Sequence, residues 1–191
     1  PGQLRLADLS RDPDRTPAER RRAHARWRRS HLNKIAAWPL ESDRSYDPER
    51  KLTVGYLCGA IYGTDAAALL DVLIASQRAL GMNTVCYVEG RKSDQDTERL
   101  IRLAQRWTDL AGVDDETACQ IMRGDRLDIL VDLAGFSAGG RPLVLARRPA
   151  PSVLAFACAR DAEEIPGIDA LIGHGAELAA LRRRKPLACA R

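Results

Sequence analysis

The sequence has few of the residues that build metal sites and disulfide frameworks. Its five cysteines are scattered and never spaced as C-x-x-C, and only three histidines occur among 191 residues. This pattern argues against a zinc site or a disulfide framework and favours a reducing compartment. No apolar run approaches the ~20 residues of a membrane-spanning helix, and no signal peptide opens the chain. We therefore expect a cytoplasmic protein with no metal, no cofactor and no membrane partner.

Positive charge is concentrated near the start of the chain. Residues 1–50 carry 12 Lys and Arg against 8 Asp and Glu, whereas residues 51–191 carry 18 of each kind. Such a segment is either an arm for nucleic acid or an acidic partner, or a solvated Arg-rich helix. Trp27 and Leu32 recur at a spacing that favours packing. We therefore expect no specific binding of nucleic acid.

A helix is predicted to begin at Thr16. Thr16 and Glu19 have the spacing of a capping box, and Pro17 occupies the first helical position. The helix is expected to extend to about residue 32 or 37. The predicted organisation is an extended or disordered lead-in at 1–16, a basic helix and linker at 17–48, a lobe at 49–180 and a basic tail at 181–191.

Short apolar segments alternate with amphipathic segments from residue 51 onwards. Strands are predicted at 52–57, 84–88, 107–110, 128–133, 153–157 and 170–172. Helices are predicted at 65–80, 94–105, 114–123 and 143–147. This alternation predicts an α/β fold with a Rossmann-like, doubly wound parallel sheet behind the N-terminal helix.

Two loops beyond predicted strand ends are the candidate ligand-facing segments, because ligands of open α/β sheets bind there. The Gly-rich turn at 135–141 could cradle an anion before a helix. It lacks the Walker lysine and the G-x-G-x-x-G spacing, so a simple tight turn is the alternative. The candidate ligand-facing residues of the two loops are Gly63, Thr64, Asp65, Gly135, Phe136, Ser137, Gly139 and Arg141.

Carboxylates near strand ends offer a second kind of chemistry. Asp65, Asp132 and Asp161 could perform acid–base work if a cleft brought two of them together. Asp65 equally fits the first turn of a helix. Asp132 lies in a buried-strand pattern, where we expect it to accept hydrogen bonds from neighbouring backbone.

The histidines and Ser137 give little support to other chemistries. His174 has no Cys or carboxylate at metal-ligand spacing. His24 and His31 lie on the basic helix, where we expect them at the surface. Ser137 has no G-x-S-x-G context, which disfavours a hydrolase.

Five segments carry ordered motifs: residues 50–56 (RKLTVGY), 107–109 (WTD), 128–135 (DILVDLAG), 146–151 (ARRPAP) and the helical segment 24–32 (HARWRRSHL). Together they resemble the catalytic region of the O-linked N-acetylglucosamine transferases, the tetratricopeptide-repeat and SPINDLY-type glycosyltransferases. The resemblance implies two Rossmann-like lobes facing a cleft, of which this chain matches the N-terminal, acceptor-side lobe. The second lobe of that family supplies most contacts to uridine diphosphate, so a UDP-sugar would bind only with a donor lobe supplied elsewhere.

The chain departs from the family pattern in three loops. Thr64 stands at the active-site His position, and threonine cannot serve as a general base near neutral pH. Phe136 and Ser137 replace the His and Thr of G-H-T-A-G, and residues 156–162 (FACARDA) replace W-L-G-Y-P-G-T. No catalytic residue is therefore carried over. The resemblance implies a degenerate lobe that is inactive alone or, alternatively, a pseudo-glycosyltransferase scaffold.

The replacements at this edge are mostly apolar or neutral. If Ile61, Phe136 and Cys158 are exposed, they form a patch typical of a protein-interaction site. We therefore expect self-association or a protein partner on this face.

Overall fold

The computed structural model describes residues 16–39, 47, 49–59, 65–90, 95–137, 139–156 and 162–173. The described residues form a six-stranded parallel sheet in the order β3-β2-β1-β4-β5-β6. This confirms the doubly wound α/β fold. The strands are Thr53–Gly59 (β1), Asn83–Val88 (β2), Arg106–Asp109 (β3), Ile129–Asp132 (β4), Ser152–Phe156 (β5) and Ala170–Ile172 (β6).

Each helix lies within a few residues of its predicted position. Asp114 caps one of them, because its carboxylate accepts hydrogen bonds from the amides of Glu116 and Thr117. Most of the predicted lead-in and the whole of the tail fall outside the described residues. The helices are Pro17–His31 (α1), Asp65–Ala79 (α2), Gln95–Leu103 (α3), Asp115–Gly124 (α4) and Pro142–Ala146 (α5), with 3-10 turns at Leu32–Lys34 and Ala162–Glu164.

The core has two layers, one on each face of the sheet. Strand side chains point alternately to the two faces. Leu57, Tyr87 and Leu130 pack with residues of α1, α4 and α5. Tyr56 and Cys86 pack with residues of α2 and α3 on the other face. None of the helices in the described ranges has both the length and the apolar character needed to span a bilayer.

Two Arg–Asp pairs fasten the amino-terminal edge of the sheet. Arg50 pairs with Asp128 just before β4. Arg148 donates to both oxygens of Asp169 at 2.7 and 3.0 Å, and Asp169 also accepts from the amide of Val153 in β5 at 2.8 Å. Guanidinium and carboxylate match in two-point geometry, so these pairs hold the connections at the beginnings of the strands.

Helix α1 docks on the sheet domain, as predicted. The capping box is present: the Glu19 amide donates to Thr16 Oγ1 at 3.3 Å, and the Thr16 amide donates to Glu19 Oε2 at 2.8 Å. Trp27 and Leu32 are buried in the core, and half-buried Ile35 packs against them. The basic helix therefore presents an apolar face to the sheet.

Candidate functional site

The strand order reverses at the carboxyl ends of β1 and β4, the position at which open α/β sheets have their ligand crevice. From β1 the chain crosses to β2 on one side, and from β4 it crosses to β5 on the other. Leu57 and Asp132 are register partners near this edge. Open α/β sheets bind ligands where the strand order reverses in this way. Residues 133–141, which follow β4, are called the β4 loop below; residues 60–64, which follow β1 and include Gly63 and Thr64, lie outside the described residues.

Asp132 fixes the start of the β4 loop. Its side chain is fully buried, and it accepts hydrogen bonds from the amides of Ala134 at 3.1 Å and Gly135 at 2.8 Å. Burial raises the pKa of Asp132 to about 6, and the two backbone hydrogen bonds partly offset that rise. The prediction that Asp132 bonds neighbouring backbone is confirmed.

The glycines of the β4 loop close a tight turn. Gly135 and Gly139 have φ angles of 56° and 75°, in the left-handed region that glycine adopts without strain. A Cβ atom at Gly140 would lie 2.1 Å from the carbonyl oxygen of Gly135. The Ser137 amide donates to Ala134 at 2.9 Å and the Gly140 amide donates to Ser137 at 3.0 Å. Ser137 and Gly139 remain half-buried at the surface of this turn.

Phe136 does not face the crevice. Only 2% of the residue is exposed, and its ring packs against α1. The expected exposed patch therefore does not include Phe136, while Ile61 and Cys158 lie outside the described residues. The reason for this difference is that α1 covers the loop, so the Phe136 ring turns inward against Trp27, and burying an aromatic ring is favourable.

His24 is also placed differently from the prediction. It is 5% exposed, and its ring centroid lies 5.0 Å from that of Phe136. His31 is exposed, as predicted, and stacks on Trp27 with centroids 4.8 Å apart. His24, Trp27 and His31 are spaced so that they share one helical face, and this spacing could have predicted that His24 is buried beside Trp27. The many arginines of the helix suggested a surface position instead.

Arg141 fixes the end of the β4 loop. Its side chain is 9% exposed and forms ion pairs with Glu89 and Asp115. It also donates to the carbonyl oxygens of Leu110 at 2.7 Å and Val113 at 2.8 Å. A guanidinium with these partners has little capacity left for a ligand. Arg141 therefore ties the β4 loop to the connections that follow β2 and β3.

The partners of Arg141 were not found from the sequence. Glu89 lies just beyond β2, and its amide donates to the Gly59 carbonyl at 3.1 Å. Asp115 begins α4. The local sequence marks Glu89 only as a loop carboxylate and Asp115 only as a helix-start carboxylate. Their contact with Arg141 depends on the order of the strands, which the local sequence does not contain.

Of the other residues considered in the sequence analysis, Asp161 and His174 lie outside the described residues. Asp65 is the first residue of α2, as the helix-start interpretation predicted. Cys58, Cys86 and Cys119 are free thiols and buried. Burial raises the pKa of Cys58 well above its ordinary value and that of Cys119 to about 11. Among the described residues no group of three His, Cys, Asp or Glu is arranged to hold a metal ion.

The sequence is similar to SPINDLY proteins of plants. It is 26% identical over 172 residues to the probable UDP-N-acetylglucosamine–peptide N-acetylglucosaminyltransferase SPINDLY of Solanum lycopersicum, covering 88% of this chain and 18% of that protein. The SPINDLY protein of Arabidopsis thaliana is 25% identical over 148 residues, which is 75% of this chain and 16% of that one. The chain thus spans less than a fifth of these relatives' length. No protein-family model matches it.

The fold is similar to that of a solved glycosyltransferase. The O-GlcNAc transferase of Thermobaculum terrenum, in a K341M mutant form, superposes with a TM-score of 0.72 and 27% sequence identity. The match covers 90% of this chain and 33% of that one. In both sequence and fold, the chain is therefore similar to SPINDLY and O-GlcNAc transferase proteins.

Proposed function

We propose that this chain is the N-terminal, acceptor-side lobe of an O-GlcNAc transferase-like glycosyltransferase and is inactive alone. The observation that carries the proposal is the extent of the structural match, which takes in 90% of this chain but only 33% of its neighbour. A match of that extent fits one lobe of a larger enzyme. The carboxyl edge at β1 and β4 is then the side that faces the donor lobe.

The β4 loop supports the inactive part of the proposal. Asp132 is buried under its own loop, Phe136 points into the core, and Arg141 is engaged by protein groups. Of the described residues of this loop, Ser137 keeps a half-buried hydroxyl, which is a poor base near neutral pH. The β4 loop therefore lines the crevice but offers few groups that could transfer a proton.

A pseudo-glycosyltransferase scaffold is the second candidate. It is favoured by the same loop, since its polar and aromatic side chains are used for internal contacts. One argument for the scaffold, the expected exposed apolar patch, is weakened because Phe136 is buried.

A lobe exchange with the Thermobaculum terrenum enzyme separates the two candidates. The matching third of that enzyme is replaced by this chain, and folding, UDP affinity and sugar transfer are measured beside the unaltered enzyme. The proposal predicts a folded chimera that binds UDP with the parental affinity and transfers no sugar. A folded chimera that has lost UDP binding would favour the scaffold. Transfer at the parental rate would contradict the expectation that the β4 loop no longer supports proton transfer, and it would favour the acceptor-side lobe over the scaffold.

A further inference from the structure

The apex of the β4 loop packs against α1, a helix more than 100 residues earlier in the chain. The Phe136 ring lies between His24 and Trp27, with centroid distances of 5.0 and 5.7 Å. The Phe136 and Trp27 planes meet at 89°, an edge-to-face geometry that aromatic pairs favour. Phe136 is thus buried by α1, while Asp132 and Arg141 anchor the two ends of the loop.

A second contact joins α1 to the next connection along the sheet. Arg28 of α1 pairs with Glu164, in the 3-10 turn after β5. The two side chains are 29% and 26% exposed, so solvent screens this pair only in part. Helix α1 therefore contacts the connections that follow both β4 and β5.

The segment after α1 is anchored elsewhere. The Trp38 amide donates to the carbonyl of Arg147 at 2.9 Å, and Arg123 donates to the carbonyl of Pro39 at 2.9 Å. These contacts join the segment to α4 and to the end of α5. The attachments of residues 38 and 39 therefore do not involve the β4 loop.

We propose that α1 is the positioning element of the β4 loop, so that the two open to solvent as one cooperative unit. When α1 leaves, Phe136 loses the packing that holds the loop apex inward, and exposing a buried ring is unfavourable. Movement of α1 is therefore transmitted to the crevice at β1 and β4. This coupling is independent of any catalytic activity and goes beyond the proposed function.

Native-state hydrogen exchange of the whole chain at rising denaturant tests the coupling. The informative loop amides are those of Ser137 and Gly140, which are hydrogen-bonded within the loop. We expect them to open together with the amides of α1, at lower denaturant than the amides of Tyr56 and Val131 in the central strands. Loop amides that exchange only with the central strands, while α1 opens earlier, would overturn the proposal.

Conservative variants give a second measurement. Trp27→Phe should speed exchange of the Ser137 and Gly140 amides by about tenfold, with central-strand amides unchanged. Val72→Ala is the control, because Val72 is 62% exposed on α2, a helix of the opposite core layer. Equal acceleration of loop and strand amides in Trp27→Phe would show a general loss of stability and contradict the coupling.

Discussion

Arg50 and Asp128, 78 positions apart in the chain, form a two-point ion pair at the amino-terminal edge of the sheet. Arg50 Nη1 lies 2.9 Å from Asp128 Oδ2, and Nη2 lies 2.6 Å from Oδ1. Asp128 Oδ2 also accepts the amide of Thr53 at 2.8 Å. Arg50 begins one motif of the family resemblance and Asp128 begins another. These two motif residues therefore join β1 to β4 at the edge opposite the crevice. Their presence in the motifs is explained by a role in the fold.

Removing the Asp128 carboxylate should destabilise the domain. Asp128→Ala leaves the Arg50 guanidinium and the Thr53 amide without that acceptor, at a cost of about 1–3 kcal/mol in the free energy of unfolding. Urea denaturation measures the change. Glu98→Ala is the matched control, because Glu98 and Arg102 form an exposed pair at 3.8 Å, and such pairs contribute little. Equal losses in the two variants would contradict the structural role of Asp128.

Arg141 should be among the most sensitive positions of the β4 loop. Arg141→Ala leaves Glu89 and Asp115 without their shared cation, and breaking a buried pair on one side costs about 3–5 kcal/mol. Arg141→Lys keeps the charge but loses the planar fork, so we expect an intermediate loss of thermal stability. An Arg141→Lys protein as stable as the wild type would show that the fork geometry is unimportant.

Asp132 should give the domain a specific pH dependence. Its folded pKa of about 6 lies above the ordinary value of 3.8, so the folded state holds the proton more tightly than the unfolded state. The contribution of Asp132 is therefore most favourable below about pH 4 and is lost as pH rises through 6, a change of about 3 kcal/mol. The contribution of Asp132 is isolated by the free energy of unfolding of the wild type minus that of Asp132→Asn, measured by denaturation from pH 4 to 7. If the stability of the wild type relative to Asp132→Asn rises with pH, the assignment is contradicted.

Phe136 should behave as a core residue. Phe136→Asp buries a charge against α1 and is expected to unfold the chain or lower its melting temperature sharply. Phe136→Leu keeps an apolar side chain and should cost no more than about 1.5 kcal/mol. Circular dichroism during heating distinguishes the two. A folded Phe136→Asp protein with unchanged melting temperature would restore the exposed-patch hypothesis.

The sequence predicted what depends on local pattern. Alternating apolar segments placed all six described strands within a few residues, and the Thr16–Glu19 capping box marked the start of α1. The inward turn of Phe136 was missed because it depends on α1, a distant segment that periodicity cannot connect to the loop. The partners of Arg141 were missed for the same reason, since the strand order alone brings Glu89 and Asp115 to it.

Turnover of UDP-N-acetylglucosamine by the purified chain bears most directly on the proposed function. We expect neither hydrolysis nor transfer, because the chain matches a third of its structural neighbour and its β4 loop is committed to internal contacts. Thr64→His should not create activity, since it changes one position of one loop. Measurable turnover by the purified wild-type chain that disappears in Ser137→Ala would contradict the proposal that this lobe is inactive alone.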